Sequence, residues 1–186
     1  MSRQLAKYWI TADEFEQMGR AGIFHPDARL ELLEGEIYQM SPIGSPHAAC
    51  VDFLSSFFNR HFGGRVIVRV QNPIRLNDIS EPQPDIALLR PRDDFYRRAH
   101  PTPEDVLLVV EVADSTVETD RSYKMPLYAR AGIPEAWLVN LPEERIELFA
   151  EPVGGDYQTS RIFSRSDEVQ SHGVADLRVA VSDVLG

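Results

Sequence analysis

The stretch Val106-Leu-Leu-Val-Val-Glu111-Val112, followed by 118–131 and then by Ala136-Trp-Leu-Val139, carries most of what the chain says about its fold. Six apolar residues around one acid read as a central strand covered on both faces. Residues 118–131 repeat with helical spacing and stop at Gly132 and Pro134, after which 136–139 resumes as a second buried strand. Strand, helix and strand in that order predict a crossover within a mixed sheet. Pro126 lies inside the helical run, where it either kinks the helix or marks its true start.

Upstream, Asp85 to Leu89 is a short apolar strand entered through Pro84. Val66 to Val70 is a β-branched run broken by Arg69, and Asn72-Pro73 introduces a third candidate strand, Ile74 to Leu76. Ser45-Pro46 supplies an N-cap and a proline at the first helical position. Val51, Leu54, Phe57, Phe58 and Phe62 then recur at helical spacing up to Gly63-Gly64. Arg29 to Met40 alternates and is broken at Glu34-Gly35, which predicts a hairpin. Thr11-Ala-Asp-Glu14 has capping-box spacing and predicts a first helix to about Gly19. Downstream, 146–149, 157–163 and 174–181 read as strands of an acidic, meander-like edge. With no repeat or linker to divide it, the chain is expected to be one α/β domain over 1–186, a mixed sheet flanked by helices.

The bulk numbers agree with a folded core. At 186 residues, 43% hydrophobic and 26% charged, the composition argues against disordered, collagen-like and coiled-coil classes. No apolar run approaches the ~20 residues of a spanning helix, and the N-terminus lacks the apolar stretch of a signal peptide, so no membrane association and a cytoplasmic location are expected. The single cysteine, Cys50, reads as a small buried apolar residue. A net charge of −10 argues against coating nucleic acid. Acids nevertheless concentrate after residue 100, and Arg60, Arg65, Arg69, Arg75, Arg90, Arg92, Arg97 and Arg98 leave 60–98 locally basic. Those arginines read either as a modest DNA-contact face or as solvated surface.

The candidate chemistry lies where acids interrupt apolar strands. Glu111 falls near the end of one such run and Asp85 opens another. An unpaired buried charge is costly, so either the acids emerge into water, with Glu111 paired to an arginine and Asp85 capping a turn after Pro84, or the two meet around a cation. Two acids on neighbouring strands suit a hard divalent ion such as Mg²⁺. Lys124 lies on the following helix with Asp120 and Tyr128 four positions to either side. In a chain with only two lysines, it reads either as an intrahelical partner of Asp120 or as a point charge able to steer or deprotonate a water.

In order along the chain, Glu31-Leu-Leu-Glu-Gly-Glu36, Ser45-Pro-His47, Pro84-Asp85-Ile-Ala-Leu-Leu, Val109-Val-Glu111-Val, Asp120, Lys124, Tyr128-Ala-Arg-Ala-Gly-Ile and Pro134-Glu-Ala-Trp137 resemble the Uma-two family of the PD-(D/E)xK nuclease superfamily. The resemblance spans about residues 10–180. It implies a restriction-endonuclease-like mixed sheet with the metal site at a split between strands. It further implies that Asp85, Glu111 and the Val112 carbonyl hold Mg²⁺ or Mn²⁺ and that Lys124 serves as the lysine, relocated from the superfamily position occupied here by Ala113. Glu31, Glu36, His47, Asp120 and Tyr128 become accessory candidates. The implied activity is endonucleolytic hydrolysis of DNA leaving a 5′-phosphate, with a homodimer for double-strand cleavage. Two other readings stay open: a non-catalytic interaction module with the nuclease fold, and a metal-dependent hydrolase of small phosphorylated compounds.

Overall fold

The structure is a computed structural model and describes residues 6–186. Its centre is a six-stranded mixed sheet of order β3-β4-β5-β6-β7-β8, formed by Ile67–Val70, Ile86–Leu89, Val106–Ala113, Glu135–Asn140, Arg145–Val153 and Asp156–Ser164. The β5–β6 pair is parallel and the remaining pairs of this sheet are antiparallel. The expected crossover is therefore present, and the C-terminal meander follows it.

Alternation along the strands divides the core in two. Ile86, Leu88, Val110 and Trp137 face helix α2 (Ser45–Phe62) and the short C-terminal helix α5 (Val181–Leu185). Ala87, Leu89, Val109 and Leu138 face the opposite way, toward α4 (Met125–Ala131). Helix α2 begins with Gly44 at the cap rather than Ser45, with Pro46 in its first turn, and ends at Gly63 in the left-handed conformation. Helix α1 (Ala12–Arg20) has the reciprocal Thr11–Glu14 capping box. Cys50 is buried and unpaired, and burial pushes its thiol up to about 12. Among the described residues no helix is long and apolar enough to cross a membrane.

Three segments depart from the sequence expectations. Residues 74–76 form no strand: the Ile74 and Leu76 amides bond to the Pro82 and Ser80 carbonyls, turning the segment into a loop that buries both side chains. Residues 174–181 contain only a three-residue strand, β10 (Arg178–Ala180), paired with β9 (Glu168–Gln170), and Val181 opens α5. Finally, 117–131 is not one regular helix. A short α3 (Val117–Thr119) leads into a π-helical turn, Asp120–Lys124, before α4. Pro126 has no N–H to give the Ser122 carbonyl, and its ring crowds that oxygen, so the chain widens by a residue just ahead of it.

The hairpin of β1 (Leu30–Leu33) and β2 (Glu36–Gln39) lies outside the main sheet and is tied to it through Leu32 and Glu81. Its turn has positive φ at both Glu34 and Gly35, 49° and 80°. A Cβ on Gly35 would lie 2.8 Å from Trp9 Cβ and 3.1 Å from Trp9 Cα. Gly35→Ala is therefore expected to cost about 1–3 kcal/mol, from left-handed backbone strain and the displacement of Trp9, read as a lower denaturant midpoint. An unchanged midpoint would mean that the turn relaxes freely.

Candidate active site

Strand β4 is shorter than β5, and its end opens the site. Ile86 pairs with Val110, so one step further in the same register Asp85 stands opposite Glu111. Directly opposed residues share a face with Cβ atoms about 4.5–5.5 Å apart. That face lies under the π-helical turn, which carries Asp120 and Lys124, and under Tyr128 at the middle of α4. Hairpin residue Glu31 approaches from the side. Glu31, Asp85, Glu111, Asp120 and Lys124 are each no more than 6% exposed and line one cleft of about 370 Å³.

Lys124 Nζ is 3.0 Å from Glu31 Oε2, 3.4 Å from Glu111 Oε1 and 4.0 Å from Asp120 Oδ1. Burial alone would lower the lysine pKa, but the attraction of Glu111, Glu31 and Asp120 outweighs it and raises the value, so the ammonium is held charged. The Tyr128 hydroxyl donates to Glu111 Oε1 at 2.5 Å. Burial drives Glu111 well above the usual carboxylate range. Lys124 opposes that rise, while Asp120, Asp85 and Glu31 add to it. Asp120 is raised for the same first reason, despite Lys124 and a 2.7 Å bond from the Thr116 hydroxyl.

Asp85 has the opposite electrostatic character. Burial pushes its pKa up, but donors overcome burial and hold the carboxyl below its ordinary value: His47 Nε2 at 3.1 Å, the Val112 amide at 2.9 Å and Gln71 Nε2 at 3.1 Å. The hydrogen bond to Asp85 in turn raises His47, whose Nδ1 has no partner among the described residues. In a strand, the N–H and C=O of one residue point the same way. The Val112 carbonyl therefore faces the gap beyond β4, where its amide meets Asp85.

Of the residues singled out from sequence, Asp85, Glu111, Val112, Lys124, Glu31, His47, Asp120 and Tyr128 come together here. Glu36 does not. It shares a hairpin face with Glu31 but lies two rows nearer the turn, where it pairs with Lys7 and accepts from the Tyr38 hydroxyl.

The arginine set of 60–98 does not line the cleft. Arg60 and Arg65 bond to Ser56 and to the last carbonyls of α2, and Arg60 lies about 20 Å from His47 along that helix. Arg69 lies against His100, Arg90 bonds the Glu104 carbonyl, and Arg92 is paired with Asp94. Arg75 is engaged by Asp13, Glu16 and Glu81. Glu16, Glu81 and His100 bring possible ligand atoms within 4.8 Å of one another, but Arg75 already bridges both carboxylates in an ion-pair network.

Sequence reading passed over two residues that the fold brings in. Arg29 is the one arginine that lines the cleft among the described residues. Gln71 reaches Asp85 with both its backbone and its side chain from a positive φ of 48°, strain held beside the site. The Gln71-Asn72-Pro73 turn was the available signal for the second.

A mixed sheet whose central strands end at a cluster of acids beneath a helix defines a nuclease-like α/β fold. It is shared with a crystal structure described as "a putative nuclease belonging to DUF820 from Anabaena variabilis ATCC 29413", at a TM-score of 0.73 and 17% identity over 95% of this chain and 97% of that one. The chain belongs to the Uma2 family, "Putative restriction endonuclease", whose model matches residues 12–182. No curated protein matches the sequence.

Proposed function

We propose that the protein is a cytoplasmic endonuclease that hydrolyses DNA phosphodiester bonds with the help of a divalent cation. The observation that carries this reading is the imbalance of charge in the cleft: four buried carboxylates, Glu31, Asp85, Glu111 and Asp120, stand against one buried ammonium. Burial raises Glu111 and Asp120, and the neighbouring carboxylates add to the rise that Lys124 opposes. An all-oxygen donor set of carboxylates and a carbonyl suits Mg²⁺ or Mn²⁺. Asp85, Glu111 and the Val112 carbonyl would hold the ion. When bound, it would supply Lewis-acid polarisation of a phosphoryl oxygen and acidification of water.

The remaining roles belong to the chain. His47, Gln71 and the Val112 amide keep Asp85 ionised and fix its orientation. Tyr128 and Lys124 orient Glu111 from the other side. An ammonium held charged by three carboxylates is a poor base, so Lys124 would act as a donor that positions water and offsets charge developing at phosphorus. Cleavage of both strands of a duplex would call for two such sites and hence a homodimer.

The test is removal and return of metal. Among plasmid, single-stranded and duplex oligonucleotides at least one DNA should be cut in Mg²⁺ or Mn²⁺, with activity lost in EDTA and regained on adding excess metal. Failure to cut any DNA with either ion would reject the proposal.

A further inference from the structure

We infer, resting on the nuclease reading of this cleft, that its substrate is an unpaired DNA strand rather than intact duplex. A base would lie along Tyr38 and Tyr123, and an adjacent phosphate would meet Arg29. The cleft has two chemically different sides. Its floor is the acid cluster, whereas the wall from β2 towards α2 is richer in apolar side chains, with Tyr38, Met40, Pro42 and Ile43 interleaved with polar residues and completed by Tyr123 of the π-helical turn. The Tyr38 and Tyr123 rings lie 6.1 Å apart between centroids, and Tyr38 and Ile43 are 39% and 41% exposed. An aromatic pair of which Tyr38 is exposed and Tyr123 half-buried, beside a phosphodiester site, offers a π-face to a base.

A duplex cannot use that wall, because its bases are stacked inward and it presents only sugar and phosphate to a cleft of this kind. A volume of about 370 Å³ suits one nucleotide-sized group. The supply of cations points the same way. Duplex binding depends on rows of free Lys and Arg neutralising phosphates, but among the described residues Arg29 is the only arginine lining the cleft. Cations outside the cleft are already paired: Lys7 with Glu36, Arg75 with three acids and Arg92 with Asp94. Asp114 on the rim and a net charge of −10 further disfavour a long polyanion lying across the face.

The experiment is fluorescence anisotropy in Ca²⁺, a hard cation taken by the same oxygen ligands, run beside cleavage assays in Mg²⁺. A labelled twelve-nucleotide single strand is compared with its annealed duplex, and unlabelled deoxyadenosine monophosphate serves as competitor. The single strand should bind at least about tenfold more tightly than the duplex, with a log–log salt slope near −0.7 to −1.4, as for one or two phosphate contacts. Tyr38→Ala should weaken single-strand binding by about 5- to 150-fold without lowering the melting temperature, and Tyr38→Phe should keep it. Equal or tighter duplex binding, an equal effect of Tyr38→Ala on both forms, or mononucleotide binding as tight as the strand would each overturn the inference. If any of these occurs while metal-dependent cleavage persists, the nuclease reading stands and the preference alone falls. Absence of cleavage of every DNA would remove both.

Discussion

Glu111→Gln should lower metal-dependent cleavage by about a thousandfold or more while leaving the metal-free protein at least as stable as the parent. The two halves of this expectation share one cause. Glu111 is buried at the meeting point of Asp85, Asp120 and Glu31, and burial is the main reason its acid form is favoured. Glutamine has the same size, can still accept from Tyr128, and removes an anion that is costly to bury. Lys124 keeps Glu31 at 3.0 Å and Asp120 at 4.0 Å, so its own charge stays paired. The same exchange removes an anionic ligand from the proposed cation site. A Lewis acid contributes several kcal/mol at the transition state, and each ~1.4 kcal/mol is tenfold in rate, which gives a loss of about three orders of magnitude. Thermal unfolding in EDTA and initial rates in Mg²⁺ read the two halves separately. Activity within tenfold of the parent would remove Glu111 from the proposed chemistry, and a large drop in melting temperature would contradict the buried-charge argument.

The convergence of Asp85, Glu111 and Lys124 was legible because each breaks a local rule: two charges inside strands that are otherwise apolar, and a lysine in a chain that prefers arginine. Antiparallel register then does the rest, since it sets positions 85 and 111 side by side. Glu36 shows where such reasoning stops. The hairpin and its turn were readable from alternation and Glu34-Gly35, but two acids on one hairpin face are not in one place when they lie two rows apart, and the competing cation, Lys7, comes from outside the hairpin.

The arginines of 60–98 stand apart from the cleft for a related reason. Counting them gives the local charge but not the partners, and Arg75 is surrounded by acids from α1 and from the loop before β4. Arg29 and Gln71 carry no local signal of a site, because their relevance depends on which loops end beside Asp85. The π-helical turn is the least legible element. Pro126 announced an irregularity without saying that the chain would widen ahead of it, and that turn carries both Asp120 and Lys124 into the cleft.

Lys124→Met should destabilise the protein by about 3–5 kcal/mol near neutral pH, the usual cost of stranding one side of a buried ion pair. Methionine fills a similar volume, so the loss would be one of charge rather than packing. For a chain of this length it corresponds to roughly 6–20 °C in melting temperature. The pH dependence separates this cause from others. Lys124 has a folded pKa raised above 10.5, so its contribution is fully present below its unfolded value and disappears only as pH rises through the folded one. Glu111 and Asp120 are raised carboxylates. The folded protein holds their protons more tightly than the unfolded chain does, and stability therefore falls as pH climbs from about 4 through their folded values. Without the ammonium those folded values rise further, and the decline becomes steeper and extends to higher pH. The parent and the variant should thus differ least near pH 4, where the folded protein keeps the Glu111 and Asp120 protons and the unfolded chain is partly protonated, and most above pH 7. Lys124→Met combined with Glu111→Gln should recover part of the loss, because one of the stranded anions is gone. Urea unfolding of the four proteins from pH 4 to pH 8 measures this. A deficit that is the same at every pH, with no recovery in the double variant, would assign the loss to packing and dismiss the charge-clustered site on which the catalytic proposal depends.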